Sequence, residues 1–245
     1  MERIAIVTGG SRGIGAATAR LLASRGWSVA VNWRADEDAA NGVVRDIEGA
    51  GGRAIAVQAD ASVEADVERL FETVDRELGT LTGLVNNAGI HGPRGRLDAL
   101  EADDIERVLA VNVIGPMLTT RAAIRRMSTE HGGEGGVIVN ISSGAAYRGS
   151  PGGGVLYSVS KGGLNSLGIG LSQELAPYGI RLNTVLPGLI RTDMPEPHEF
   201  DKQAPTIPMG RVGEPHEIAE TVAWLMSDAA SYVAGANVRV AGGRP

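Results

Sequence analysis

"VTGGSRGIGAATARLL", Val7 to Leu22, decides the fold. An apolar run ends at Thr8, glycines follow at 9, 10, 13 and 15, and an Ala/Leu-rich stretch begins at once. Glycines there permit a tight turn and let a ligand approach the backbone closely. The first N–H groups of a helix have no acceptor within it, so they face an anion. The common dinucleotide turn spaces its glycines G-x-G-x-x-G. Here Gly9, Gly13 and Gly15 are spaced TGxxxGxG. By itself such a run is also compatible with an ordinary strand-to-helix turn. Its place, directly after a first strand, favours a phosphate cradle.

Outward from this turn the pattern repeats. Strands are predicted over 3–8, 28–33, 53–58, 82–86, 136–142, 180–186 and 237–240. Helices are predicted between them, over 13–25, 37–50, 63–78, 101–129, 157–177 and 215–227. Such alternation implies right-handed crossovers and an α/β, doubly wound parallel sheet with helices on both faces. No linker, repeat or charge block divides the chain, so residues 1–245 are expected to form one domain. Residues 188–214 break the rhythm with Pro195, Pro197, Pro205 and Pro208. A loop of that length is expected to be functional, here a lid over a substrate.

Composition narrows the classes. Of 245 residues 43% are hydrophobic but only 4% aromatic, so Ala, Val, Ile and Leu must fill the core. That suits strands buried on both faces. The net charge of −6 argues against a nucleic-acid surface. Arg94 with Arg96, and Arg125 with Arg126, read as solvated surface. With no cysteine, disulfides and thiolate chemistry are excluded. No apolar run reaches the ~18 residues of a membrane span, and the early strand leaves no room for a leader, so a cytoplasmic protein is expected. The four histidines show no metal-ligand spacing; His91 and His198 are placed where they could line a substrate pocket.

Which nucleotide the turn would hold depends on the end of the second strand, Asn32-Trp33-Arg34. An acid there would grip a ribose 2′-hydroxyl; arginines would instead hold a 2′-phosphate. Arg12 and Arg34 favour NADP over NAD. Asp36 is the competing acid, but reads better as the N-cap of the next helix, with Glu37 and Asp38 in its first turn.

TGGSRGIG at 8–15, NNAG at 86–89, Asn112, Ser143, YSVSK at 157–161 and LPGLIRT at 186–192 stand in one order. In that order the chain resembles the short-chain dehydrogenase/reductase family along nearly its whole length, and is similar to the acyl-carrier-protein ketoreductase and glucose dehydrogenase branches. The resemblance implies a Rossmann-type sheet of seven strands in the order 3-2-1-4-5-6-7, a nicotinamide cofactor and hydride transfer between carbonyl and alcohol. It implies that Gly9, Ser11, Arg12, Gly13, Ile14 and Gly15 line pyrophosphate and ribose, with Trp33 and Arg34 nearby. It places Asp60 and Ala61 at the adenine, and Asn87, Ala88 and Gly89 beside the adenosine ribose. Pro187, Gly188, Ile190 and Thr192, with Tyr157 and Lys161, would hold the nicotinamide end. Two departures stand out. Ser143 and Tyr157 are 14 positions apart, one more than in many relatives, and the chain ends VAGGR where VDGG is common.

Tyr157 and Lys161, at i and i+4, share a helix face. A phenol with a pKa near 10 is a poor base at neutral pH. A neighbouring ammonium, helped by an oxidised nicotinamide, is expected to lower it; two to three units need about 3–4 kcal/mol. Tyr157 then serves as general acid or base. Adjacent strand residues point opposite ways, so only one of Ser142 and Ser143 can face a substrate. The resemblance selects Ser143, which would hold the carbonyl oxygen. Pro116 cannot donate to the Asn112 carbonyl, so Gly115 and Pro116 are expected to kink the helix. The resemblance gives Asn112 a proton-relay water. Glycines at 162, 163, 168 and 170 lower helix propensity, which close approach of another helix could offset. In the family this helix lies at a subunit contact, so a homotetramer is expected. A nucleotide sensor without turnover, or an epimerase or dehydratase using the same tyrosine, remains open, since fold alone does not fix function.

Overall fold

Strand β2, Trp27–Trp33, is buried from end to end, and β1, Arg3–Val7, is buried after its first residue. Both faces of these strands must therefore be covered. The structure, a computed structural model, describes residues 2–194 and 197–244, with the side chains of 197–199 left out. Pro195 and Glu196, expected in the lid, and the side chains of Pro197, His198 and Glu199 lie outside the described residues.

The remaining strands are β3 (Arg53–Gln58), β4 (Gly83–Asn86), β5 (Gly136–Ile141), β6 (Ile180–Pro187) and β7 (Asn237–Val240). All pair in parallel, in the order 3-2-1-4-5-6-7. The helices are α1 (Gly13–Ser24), α2 (Glu37–Gly49), α3 (Glu64–Glu77), α4 (Ala102–Leu109), α5 (Gly115–Met127), α6 (Ala145–Arg148), α7 (Val155–Leu175), α8 (Pro197–Gln203) and α9 (Pro215–Leu225). Alternation along β1 divides the core. Ala5 and Val7 join α1, α2 and α9 on one face, while Ile4 and Ile6 join α3, α5 and the end of α7 on the other. Among the described residues no helix is long and apolar enough to cross a membrane.

Three expectations are refined. The stretch 101–129 is not one helix: a π-helical turn, Ala110–Ile114, separates α4 from α5, and the Gly115 N–H reaches back to the Ala110 carbonyl. The irregularity thus lies just before Pro116, which has no N–H to offer. The segment 188–214 is not structureless. It carries α8, a parallel bridge between Ile190 and Gly213, and a small apolar cluster of Phe200, Ile207 and Val212. On α7, a Cβ at Gly168 would lie 2.5 Å from Thr184 Oγ1, so a strand of the same chain, not a second helix, requires that glycine.

Candidate active site

The sheet order reverses between β1 and β4, and a crevice opens at the carboxyl ends of the strands there. It forms a cavity of ≈ 680 Å³ running from the glycine turn to Tyr157 and on toward α8.

The turn is held by two asparagines. Asn32 takes the Gly9 N–H on Oδ1 at 3.3 Å, and Asn87 Nδ2 donates to the carbonyls of Thr8 and Gly9 at 2.9 and 3.0 Å. The Thr8 hydroxyl accepts from the N–H groups of Asn87 and Ala88, both at 3.0 Å, joining β1 to β4. Gly9 has φ +60°, a conformation other residues adopt only under strain. A Cβ at Gly15 would lie 2.3 Å from the Gly9 carbonyl oxygen and 2.6 Å from Asn87 Nδ2, so only glycine closes the turn. No side chain caps α1, and its first turn holds no acid. Its N–H groups are left for an anion.

Beyond β2, Trp33 is 8% exposed and Arg34 reaches toward Asp60, Nη1 to Oδ2 3.6 Å. Arg107 Nη2 bonds the same oxygen at 3.1 Å. Burial pushes the Asp60 carboxyl up, but bonds from Ser62 and Arg107 outweigh it and hold the group below its ordinary value. Asp36 caps α2, accepting the Ala39 N–H at 3.0 Å, as its sequence position predicts. Arg34 is thus the charged residue that directly follows β2, with Asp60 beside it.

Ser143 follows β5 and Tyr157 lies in the first turn of α7. The Ser143 hydroxyl accepts from the Ala145 N–H at 3.1 Å, and its influence on the phenol is to oppose the effect of burial. Ser142 is turned away, 3% exposed, its Oγ donating to the Lys161 carbonyl at 3.0 Å. Lys161 is 4% exposed; its Nζ donates to the Ile141 carbonyl at 2.8 Å and lies 5.8 Å from the centre of the Tyr157 ring. Burial pushes this ammonium down to about 8. Burial also raises the Tyr157 phenol, and the Ser143 bond only opposes it. That reverses the expected lowering, because desolvation of the phenolate prevails. His91, half-buried, stacks on Tyr157, and burial lowers its imidazole.

Asn112 is fully buried. Its Oδ1 accepts the Ile90 N–H at 2.8 Å, and its Nδ2 donates to the Ile90 carbonyl at 2.8 Å and to Ser160 Oγ at 3.0 Å. A Cβ at Gly89 would lie 3.2 Å from Lys161 Nζ and 3.3 Å from Asn112 Oδ1, so the NNAG strand end brings these two side chains close.

The cavity wall contains Gly9, Ser11, Arg12, Gly13, Ile14, Trp33, Arg34, Asp60, Ala61, Asn87, Ala88, Gly89, Ser143, Tyr157, Lys161, Pro187, Gly188, Ile190 and Thr192. Gly15 and Asn112 stand behind it. His91 lines it as anticipated. Arg94, read as surface, lines it too, and Arg148 and Arg244 were missed altogether. Neither carries a periodic signal, for one ends a four-residue helix and the other lies at the chain end. Among the described residues no three His, Cys, Asp or Glu are grouped to hold a metal ion.

A family model described as "Enoyl-(Acyl carrier protein) reductase" matches residues 9–244. A short-chain dehydrogenase/reductase of Serratia marcescens superposes with a TM-score of 0.92 at 37% identity, over 98% of this chain and 97% of that one. The chain belongs to the short-chain dehydrogenase/reductase family. Other members agree. The "Uncharacterized oxidoreductase YgfF" of Escherichia coli is 48% identical over 98% of this chain and 99% of its own length. A short chain dehydrogenase of Burkholderia cenocepacia, solved in complex with NADP, is 38% identical with a TM-score of 0.91, over 99% of this chain and 97% of that one. The protein is an oxidoreductase of the short-chain dehydrogenase/reductase family.

Proposed function

We propose that the protein moves a hydride between NADP(H) and a carbonyl or secondary alcohol of a small molecule. One observation carries the reading: Ser143, Tyr157 and buried Lys161 line the same cavity as an uncapped glycine turn and two arginines. The residues fit the dinucleotide. The first turn of α1 suits a pyrophosphate, Arg12 and Arg34 suit a 2′-phosphate, and Pro187, Gly188, Ile190 and Thr192 form the wall beside Tyr157. When bound, the nicotinamide supplies or accepts the hydride.

The chain's own residues handle the oxygen and the proton. Ser143 donates to the substrate oxygen and holds it as charge develops. Tyr157 gives the proton in reduction and takes it in oxidation. Its raised phenol is held in the acid form, which suits reduction at neutral pH. Lys161 places a positive charge at the ring, and Asn112 positions the Ile90 backbone, Ser160 and a relay water. Residues 188–214 act as a substrate lid on a single domain, and the protein works as a cytoplasmic homotetramer.

A screen of β-ketoesters, sugars, steroids and aryl ketones with NADPH and NADH tests this, following cofactor absorbance. NADPH oxidation that requires a ketone and vanishes in Tyr157→Phe supports it. Substrate conversion without net cofactor turnover, or cofactor binding without any turnover, counts against it.

A further inference from the structure

Two arginines share one carboxylate at the end of the cavity near β2 and β3. Arg34 follows β2, Asp60 lies just after β3, and Arg107 stands in the last turn of α4. All three line the cavity, as does Arg12 of the glycine turn. Arg107 Nη2 donates to Asp60 Oδ2 at 3.1 Å, and Arg34 Nη1 lies 3.6 Å from the same oxygen. The other oxygen, Oδ1, accepts the Ser62 N–H at 3.0 Å and the Ser62 hydroxyl at 2.5 Å. Arg107 Nη1 also donates to Ser62 Oγ at 3.3 Å, so one guanidinium clamps both ends of the turn that carries the carboxylate.

The two arginines are held unequally. Ser62 and Arg107 supply hydrogen bonds to Asp60, whereas Arg34 at 3.6 Å is an ion pair beyond hydrogen-bond length. The Arg34 backbone is fixed, since Gln58 Nε2 donates to its carbonyl at 3.0 Å. Its side chain has room to turn, being 58% exposed against 40% for Arg107 and 21% for Asp60. Burial pushes the Asp60 carboxyl up, but the bonds from Ser62 and Arg107 hold it below its ordinary value, so it is an anion at neutral pH. An anion with Arg34 as its one cationic neighbour would compete with a phosphate for the same guanidinium. Arg107 shares that charge and loosens the competing pair. A loose, exposed ion pair contributes little, whereas phosphate oxygens match the guanidinium fork two at a time.

We propose that Arg107 is a positioning residue for the 2′-phosphate of NADP: by holding Asp60, it lets Arg34 exchange that carboxylate for the phosphate. The inference rests on the NADP reading and adds a specificity-determining residue to that same site. No covalent bond is made or broken; one side chain moves between two anions.

Adenosine 2′,5′-bisphosphate and adenosine 5′-monophosphate, which differ by the 2′-phosphate, test the proposal by calorimetric titration without turnover. The wild type should bind the bisphosphate more tightly, and the ratio of the two affinities is the readout. Arg107→Ala should cut that ratio by roughly three- to tenfold. Asp60→Asn should raise it, and in that background Arg107→Ala should change it by less than about twofold. Asp60→Ser, which also removes the charge, should give the same pattern if the amide disturbs the turn. The NADPH-over-NADH ratio of kcat/KM should follow the same order, through KM rather than kcat. A ratio unmoved by Arg107→Ala, lowered by Asp60→Asn, or cut equally by Arg107→Ala with and without Asp60→Asn overturns the proposal. Where the wild type keeps its preference for the bisphosphate, that failure leaves the NADP reading standing. Equal binding of the two nucleotides by the wild type overturns both. The expected binding pattern without turnover of any ketone sinks the hydride reading and leaves Arg107 its role.

Discussion

The imidazole of His91 lies flat on the phenol ring of Tyr157, with centroids 4.8 Å apart and planes 13° from parallel. The ring that carries the proton is thereby confined. A stack of this kind is worth about 0.5–1.5 kcal/mol, or roughly two- to tenfold in a rate. His91→Ala should lower kcat/KM by that factor, and His91→Phe, which keeps the stack, should recover most of it. Because burial lowers the imidazole's pKa, the alkaline limb of the rate profile should be the same in His91→Phe as in the wild type. Steady-state kinetics across pH reads both effects.

Burial raises the Tyr157 phenol. Its acid form then persists through neutral pH, so ketone reduction should hold steady there and decline on the alkaline side. Alcohol oxidation, which needs the base form, should rise as pH rises. Tyr157→Phe should lower kcat by about 10²–10⁴ with cofactor still bound, as fluorescence of the reduced dinucleotide would show.

Lys161 is lowered from an ordinary 10.5 to about 8 by burial. Between those values the unfolded chain holds the proton and the folded chain does not, so stability should rise with pH across that window. Below it, the buried charge destabilises the fold by up to about 3 kcal/mol. Losing the bond to the Ile141 carbonyl offsets about 1 kcal/mol of any gain. Lys161→Met should therefore be inactive yet melt higher at neutral pH, with an advantage that shrinks as the solution becomes alkaline. Calorimetry against pH checks it.

Arg34 faces the cavity beside Asp60. A charged hydrogen bond to a 2′-phosphate is worth about 1.5–3 kcal/mol, so Arg34→Ala should reduce the NADPH-over-NADH preference by roughly tenfold or more. The ratio of kcat/KM for the two cofactors measures it.

On α7, nothing lies within 4 Å of a Cβ built at Gly162 or Gly170, and Val159 and Ile169 are 60% and 45% exposed. If this face meets another subunit, Gly162→Phe should shift the protein to a smaller species in sedimentation while leaving its circular dichroism intact. An unchanged assembly would remove this helix from the contact.

The strands were legible to within a residue or so at each end, because alternating elements and doubly buried apolar runs depend on local pattern. The glycine turn and the Asp36 cap were legible for the same reason. Arg94 and Arg148 were not, since their places on the cavity wall depend on where loops return after distant strands. The direction of the Tyr157 shift was missed because an i, i+4 pair reports proximity along a helix, whereas desolvation depends on everything packed around it. Helix α8, within 188–214, was missed where prolines mask a short turn.

The π-turn at Ala110–Ile114 amounts to one surplus residue threaded into an otherwise regular coil. Each residue advances such a coil by about 100°. Within it, Asn112 is clasped to Ile90; downstream, Thr119 and Thr120 grip Asn86. Excising Val113 would swing these two grips out of phase, so one could be kept only by surrendering the other.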